Sequence, residues 1–193
     1  SPQIWRMTRY RFFHLPTDRP GPYLYIQDTD DGTTWCPSFE PTPTRPTRWQ
    51  ATHGLGYTRF RASHGELDAD LTYFVGDVAD ALIWRLVVKN SGASARRLRL
   101  FAYVEFSMME FLREIQWQCY NKHQVSVTWD AGLRALIYRY GVEMQPRPEE
   151  TPLVYFGADR EPLRLILDDL RAGGWRGLAR AFAFAFDFAF ASA

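Results

Sequence analysis

The residue with the strongest claim to acid–base chemistry is His53, which stands beside glycines at positions 54 and 56. Histidine titrates near neutral pH, and beside glycines its ring could be exposed and mobile enough to transfer protons. The alternative is structural: Gly54 and Gly56 allow a tight backbone bend, and the His53 side chain holds that corner with a hydrogen bond. We favour the structural interpretation and assign His53 no catalytic role.

Carboxylates are the other side chains that could donate or accept protons in catalysis. The candidates lie in predicted strand or turn positions, where we interpret them as solvated: Asp28, Asp68, Asp70 and Glu105. None has a feature that marks a general acid. Arg59 and Arg61 alternate along one face of a predicted strand and could pair with acidic neighbours across a sheet. We therefore predict no catalytic residue in this chain.

Aromatic residues make up 16% of the chain, with seven Trp and ten Tyr. Aromatic side chains fill large β cores and also stack on sugar faces, so the count alone does not separate these two roles. Trp35 and Phe39 are the best candidates for sugar stacking because they lie next to a proline-rich loop. The alternative is that both pack this loop on the body of the protein. We retain Trp35 as a candidate substrate-binding residue.

The pattern of cysteine and histidine predicts no metal site. The two cysteines, Cys36 and Cys119, are far apart and have no zinc-ligand spacing. The remaining histidines, His14, His64 and His123, have no partner at a ligand spacing. A disulfide between Cys36 and Cys119 stays open at this stage. Sparse cysteine suits a reducing compartment, and we predict a cytoplasmic protein.

Charge and hydropathy exclude two classes of partner. The formal net charge is +1, which gives no electrostatic reason to expect nucleic acid or an anionic membrane. No apolar run approaches the roughly 18 residues that a membrane-spanning helix needs. We therefore predict neither a nucleic-acid partner nor a membrane partner.

Alternation of apolar and polar residues predicts β-strands along the first three quarters of the chain. Proline-rich residues 37–48 form a loop, since proline does not pair in a central strand. The predicted strands are separated by short turns and not by helices: 23–27, 57–62, 67–75, 82–88, 98–106, 125–129, 135–140 and 153–156. This order predicts an all-β protein with an antiparallel two-sheet β-sandwich. Residues 108–113 are either a helical turn or a loop.

The chain changes character near its C-terminus. We predict a β-sandwich domain over residues 1–160 and a divergent segment over 161–193 that packs on the sandwich. Residues 162–171 carry leucine and isoleucine at helical spacing and end at two glycines, which predicts a short helix. Residues 180–191 alternate phenylalanine with alanine. As a strand this segment places five Phe on one face, which is either core or, if exposed, a surface for self-association.

Five ordered blocks within residues 7–155 resemble the amino-terminal β-sandwich of one enzyme family. The most informative block is HGLGYTRFRA at residues 53–62, and the others are residues 21–28, 34–41, 71–75 and 100–106. The family is that of the cellobiose/chitobiose phosphorylases, inverting disaccharide phosphorylases of glycoside hydrolase family 94, formerly glycosyltransferase family 36. The resemblance implies a supersandwich-like fold.

The resemblance also implies how the chemistry is divided. In the family the catalytic aspartate and the phosphate-binding groups lie in a helical barrel, for which 193 residues leave no room. Inorganic phosphate is the co-substrate and no cofactor is implied. The family sandwich helps to form a dimer and to complete the acceptor side of the partner's site. Arg139 and Arg147 fall nearest the Tyr- and Arg-rich region involved, so we name them as candidate substrate-binding residues beside Trp35; the alternative is plain surface arginines.

Three functions stay open. The first is the non-catalytic, homo-oligomeric sandwich of an enzyme that cleaves a β-linked disaccharide or oligosaccharide with phosphate to give a sugar 1-phosphate. On this interpretation the 193-residue chain is inactive alone. The second is a free-standing carbohydrate-binding module, which needs an exposed set of coplanar aromatic rings. The third is a folded gene remnant without function.

Overall fold

The structure is a computed structural model that describes residues 5–9, 20–76, 81–116, 125–140, 153–158 and 180–187. The chain divides into two compact units. Unit 1 comprises residues 1–22, 79–81 and 104–183, and unit 2 comprises residues 23–78, 82–103 and 184–193. Each unit is described by itself below.

The described residues form thirteen strands and one helix. In chain order the strands are β1 (Trp5–Thr8), β2 (Tyr23–Asp28), β3 (Thr34–Trp35), β4 (Arg48–Gly54), β5 (Tyr57–His64), β6 (Leu67–Val75), β7 (Ala81–Asn90), β8 (Leu98–Tyr103), β9 (Phe106–Glu110), β10 (Val125–Asp130), β11 (Ala135–Tyr140), β12 (Leu153–Ala158) and β13 (Arg180–Asp187). The helix α1 (Phe111–Gln116) follows β9 directly. All the strand pairs given below are antiparallel, which confirms the predicted all-β, antiparallel class.

Strands β4 to β7 form a meander that dominates unit 2. Each pairs with the next in an unbroken register, for example Thr58 with Tyr73 and Tyr73 with Trp84. Burial alternates strictly along β6, where Leu67, Ala69, Leu71 and Tyr73 are buried. Because successive side chains of a strand point to opposite faces, this sheet has one apolar and one polar face.

A smaller sheet of unit 2 has the order β3–β2–β8. Its inward residues include Leu24 and Ile26 on β2 and Trp35 on β3, all fully buried. The Trp35 ring lies 5.8 Å from the His64 ring of β5, and the Trp49 indole N–H on β4 donates to the Pro37 carbonyl at 3.0 Å. Unit 2 is therefore a two-sheet sandwich.

An aromatic ladder crosses the apolar face of the meander. The rings of Trp49, Phe60, Tyr73 and Trp84 lie on four successive strands. Their centroids are 6.2, 6.0 and 5.0 Å apart in that order, and the Tyr73–Trp84 contact is edge-to-face. Burial raises the pKa of the Tyr73 hydroxyl far above its ordinary value. Tyr73 and Trp84 are buried and fill the core here, whereas Trp49 on the edge strand is exposed.

Unit 1 contains a β1–β9 ribbon and a β10–β11–β12 meander. Phe106 of β9 packs edge-on against Tyr138 of β11, with ring centroids 4.4 Å apart, and contacts Phe156 of β12 at 5.9 Å. Tyr138 and Phe156 also contact each other. These three rings form a second apolar cluster, which we call the Phe106 cluster.

The strand prediction differs from the structure in several places. Strands β1 and β3 are not predicted, and residues 108–113, predicted as a helical turn or a loop, contain the end of β9 and the start of α1. The predicted strand over residues 98–106 is divided at Val104 and Glu105, because β8 pairs with β2 whereas β9 pairs with β1. The sequence pattern does not predict β4. It is an edge strand whose residues are nearly all exposed, so it lacks the alternation that identifies a half-buried strand.

The C-terminal predictions are tested only in part. The Phe/Ala-rich tail forms β13 over Arg180–Asp187, and the division between the two units falls inside this strand. The helix predicted over residues 162–171 lies outside the described residues. The structure also does not describe the burial of the phenylalanine side chains in the tail.

Candidate functional site

The HGLGYTR block forms the β4–β5 hairpin. The backbone of Gly56 has φ of +80°, a conformation that L side chains rarely adopt. A Cβ at Gly54 would overlap the Tyr57 ring, so any larger residue here would displace that ring. His53 Nδ1 lies 3.1 Å from Thr58 Oγ1 on the paired strand. This hydrogen bond confirms the prediction that His53 holds the corner of the hairpin.

An arginine–carboxylate pair stands on the polar face of the meander. Arg59 Nε on β5 donates to Asp70 Oδ1 on β6 at 2.7 Å, and Arg59 Nη2 donates to Asp70 Oδ2. Arg61 Nε lies 3.7 Å from the same carboxylate. The prediction that Arg59 and Arg61 pair with acidic neighbours across the sheet is confirmed. The hydrogen bonds from Arg59 hold the pKa of Asp70 below its ordinary value.

This pair predicts an acid-sensitive contribution to stability. Because the folded-state pKa of Asp70 is lowered, the contribution is fully present above the unfolded-state pKa of about 3.9 and is lost as the pH falls below it. Arg59 is partly exposed, so we expect only about 1 kcal/mol. Arg59→Gln should lower the free energy of unfolding by that amount at pH 7 and flatten its decline below about pH 4. Urea unfolding from pH 7 to pH 3 measures both effects.

A matched control for this prediction is Arg99→Gln, which removes one exposed arginine from the other sheet of unit 2. It should leave both the stability at pH 7 and the acid decline within error of the parent chain. Equal pH profiles for the parent and the Arg59→Gln chain would contradict the assignment.

The polar face of the meander also holds a groove of about 460 Å³. Two cross-strand rows of outward side chains build it, one running from Arg48 to Lys89 and the other from Gln50 to Val87. The polar side chains that line the groove come from all four strands: Arg48, Gln50, Arg61, Ser63, Asp68, Asp70 and Lys89. We call this feature the β4–β7 groove.

Both carboxylates of the groove are already engaged. Asp68 Oδ1 accepts a hydrogen bond from Ser63 Oγ at 2.5 Å and one from Arg48 Nη2 at 3.2 Å. Asp70 is held by Arg59 as described above. The hydrogen bonds from Arg59 lower the pKa of Asp70, so Asp70 is ionised near neutral pH and cannot act as a general acid there.

The predicted acidic residues outside the groove are also paired. Asp28 Oδ2 accepts from Arg96 Nη1 at 3.2 Å, and Arg96 Nη2 reaches Glu66 Oε2 at 3.5 Å. The interpretation of Asp28 as a solvated residue is wrong: its side chain lies on the buried side of β2, next to Ile26 in the alternation. Glu105 forms an ion pair with Arg9.

The structure describes two of the three predicted substrate-binding residues, Trp35 and Arg139. Trp35 is fully buried, which leaves no ring face open to a sugar and favours the packing role that the sequence left open. Phe39, the other aromatic candidate for sugar stacking, is exposed, and the Arg45 guanidinium lies 4.5 Å from its ring centroid. Arg139 is exposed on β11. Arg147 lies outside the described residues, so the roles of both arginines stay predictions.

Cys36 is a free, buried thiol, so it forms no disulfide with Cys119. Its Sγ donates to the Leu24 carbonyl at 3.2 Å, and burial raises its pKa. Cys119 lies outside the described residues. Within those residues no group of three His, Cys, Asp or Glu side chains could hold a metal ion. The one helix that is described, α1, is too short and polar to cross a membrane.

Sequence reasoning missed the β4–β7 groove as a site. Its signal is the polar half of the alternation: Arg48 and Gln50 on one strand, Asp68 and Asp70 on another, and Lys89 on a third. That these residues lie together can be inferred only once β4 to β7 are known to be consecutive neighbours in the sheet. Because the sequence pattern predicts no strand at β4, Arg48 and Gln50 have no predicted face.

Comparison with known proteins gives related sequences along most of the chain. The family model described as "Glycosyl hydrolase 94, supersandwich domain" matches residues 1–165. N,N'-diacetylchitobiose phosphorylase of Vibrio proteolyticus is 32% identical over 163 residues, which cover 83% of this chain and 18% of that protein. Solabiose phosphorylase of Paenibacillus borealis is 32% identical over 98 residues, which cover 51% of this chain and 13% of that protein.

A more distant relative is the cyclic beta-(1,2)-glucan synthase NdvB of Rhizobium meliloti (strain 1021). It is 29% identical over 89 residues, which cover 46% of this chain and 3% of that protein. The chain spans less than a fifth of the length of each of these three relatives.

Proposed function

The chain belongs to the glycosyl hydrolase 94 family through its supersandwich domain, and on this basis we propose that it is the non-catalytic domain of a carbohydrate phosphorylase. The proposed parent enzyme cleaves a β-linked disaccharide with inorganic phosphate and yields a sugar 1-phosphate. The observation that carries this proposal is the family match over residues 1–165, joined to relatives named as phosphorylases of diacetylchitobiose and solabiose.

The state of the carboxylates supports a non-catalytic role. Inverting phosphorolysis needs one general acid to protonate the leaving oxygen, while phosphate attacks from the opposite face. That acid must hold a proton near neutral pH. Asp70 accepts hydrogen bonds from Arg59, which lower its pKa and favour its ionised form. We propose that the acid is supplied by another part of the parent enzyme.

The proposed role of the domain is assembly. In this proposal the sandwich forms a homo-oligomer and completes the acceptor side of a site, with Arg139 and Arg147 as the contributing side chains. The exposure of Arg139 supports this use. The free thiol of Cys36 supports the proposed cytoplasmic setting.

A carbohydrate-binding module is the second candidate function, and one cluster of side chains favours it. On the outer face of the smaller sheet Tyr23 pairs with Tyr103, and Tyr25 pairs with Phe101. The Tyr23 and Tyr103 rings are stacked with centroids 6.3 Å apart, and Phe101 is exposed. Such a set of rings suits stacking on the flat face of a β-linked sugar chain.

The purified 193-residue chain tests the proposal. With phosphate and cellobiose or N,N'-diacetylchitobiose, we expect no sugar 1-phosphate above the enzyme-free blank. Release of sugar 1-phosphate would contradict the non-catalytic role. Retention of the same preparation on insoluble cellulose, lost in Phe101→Ala, would favour the binding module. Light scattering checks the proposed homo-oligomer, and a strict monomer would contradict that part.

A chimera tests the positive part of the proposal. Residues 1–165 of this chain replace the matching segment of the Vibrio proteolyticus phosphorylase. We expect the chimera to retain phosphorolysis of diacetylchitobiose, and the same enzyme with the segment deleted to lose it. An active deletion variant would show that the domain is dispensable.

A further inference from the structure

The β4–β7 groove carries an excess of positive charge. Three cationic side chains, Arg48, Arg61 and Lys89, line it together with Asp68 and Asp70. Asp70 is already neutralised by Arg59, which does not line the groove. We infer that the groove binds a sugar that carries one phosphate or carboxylate group. This inference rests on the groove alone and holds whether or not the proposed function is right.

Several hydrogen-bond donors in the groove have no protein acceptor. Among the described residues the Lys89 ammonium makes no hydrogen bond or ion pair, and the Gln50 amide makes no side-chain hydrogen bond. Arg61 has one ion pair at 3.7 Å, which is too long for a hydrogen bond. An ammonium and a guanidinium whose ion pair with Asp70 leaves its N–H donors without a close hydrogen bond suit an anionic oxygen group, which the guanidinium can bind bidentately.

The neutral and acidic groups indicate a sugar and not a simple anion. Asp68 has two acceptor oxygens, and the two hydrogen bonds that it accepts leave lone pairs open to a hydroxyl donor. The Gln50 amide both donates and accepts. The hydroxyl groups of a sugar ring can donate to these acceptors, whereas inorganic phosphate offers mainly acceptors. The volume of about 460 Å³ is within the range of small-molecule sites.

The alternative is an ordinary solvated sheet face, on which charged residues of both signs are common. Two features distinguish the groove from that alternative: its side chains border an open concave space, and its donors without a close acceptor come from three different strands. An ordinary solvated face would show no saturable binding of a sugar ligand, so a binding titration distinguishes the two interpretations.

The test is isothermal titration calorimetry of the 193-residue chain with four probes. These are glucose 1-phosphate, glucuronate, neutral glucose and inorganic phosphate. We expect glucose 1-phosphate and glucuronate to bind at least about tenfold more tightly than glucose or inorganic phosphate, a factor of ten being about 1.4 kcal/mol. Binding should weaken as salt rises from about 0.05 M to about 0.5 M, because exposed charges are screened.

The double variant Arg61→Gln/Lys89→Gln should weaken binding of the anionic sugars by about tenfold or more, since both charged donors are removed. Both side chains are exposed, so the variant should unfold at the same temperature as the parent chain. The matched control is Arg99→Gln, which should bind as the parent does. The two anionic probes distinguish a phosphate from a carboxylate group. Tight binding of either probe supports the inference and shows which of these groups the groove binds.

Three results would overturn the inference. The first is no saturable binding of any anionic sugar. The second is inorganic phosphate binding as tightly as glucose 1-phosphate, which would show a simple anion site. The third is unchanged affinity in a folded double variant, which would place the binding elsewhere on the chain.

Discussion

Replacing Trp84 by alanine is expected to lower the free energy of unfolding of unit 2 by about 3–5 kcal/mol. The Trp84 side chain is 0% exposed, and its ring meets Tyr73 edge-to-face at 5.0 Å. The substitution removes the buried surface and leaves a cavity between strands that cannot collapse freely, since their register is fixed by pairing. The expected loss is a large fraction of the roughly 5–15 kcal/mol that typically stabilises a domain.

Urea unfolding followed by circular dichroism measures this effect as a lower midpoint. The control is Trp129→Ala, the same substitution at a tryptophan that is 61% exposed on β10. We expect the control to change stability by about 1 kcal/mol or less, because little surface is removed from burial there. Similar losses in the two variants would mean that Trp84 is not buried in the core of unit 2.

The sandwich could be predicted from sequence where one face of a strand is buried and the other is not. Along β6 the apolar residues Leu67, Ala69, Leu71 and Tyr73 occupy every second position, and the predicted bounds, 67–75, match those of the strand. A period of two is a local signal, because successive side chains along a strand lie on alternate faces of the sheet. No knowledge of the partner strands is needed to detect it.

Burial and pairing across the fold could not be predicted in the same way. Trp35 and Phe39 lie close together in sequence, yet the first is fully buried and the second is exposed. Asp28 is buried with its carboxylate paired to Arg96, which is 68 residues away in the chain. Contacts of this kind depend on which strands become neighbours, and alternation along one strand carries no information about that.

The β4–β7 meander combines two properties through the same alternation. Its inward residues, such as Leu71 and Trp84, form the core, and its outward residues, such as Arg61 and Lys89, line the groove. Substitutions on the outward face therefore change charge without opening a cavity. This separation is the physical reason that the groove variants should bind more weakly and yet stay folded.

Replacing Phe106 by alanine is expected to destabilise unit 1 by about 3–5 kcal/mol. Phe106 is buried and contacts both Tyr138 and Phe156 edge-on. These contacts join β9 to the β10–β12 meander, so their loss removes packing from two strands at once. Amide hydrogen exchange in β11 and β12 should accelerate about 100-fold or more, because each 1.4 kcal/mol corresponds to about a factor of ten.

Phe101→Ala is the matched control, since it makes the same substitution at a phenylalanine of β8 that is 49% exposed. Exchange in β11 and β12 should then stay within about twofold of the parent chain, because Phe101 belongs to unit 2 and buries little surface. Equal acceleration by both substitutions would contradict the assignment of the Phe106 cluster as the apolar centre of unit 1. Acceleration confined to Phe106→Ala would show that three rings, and not the short ribbon and meander alone, hold these strands together.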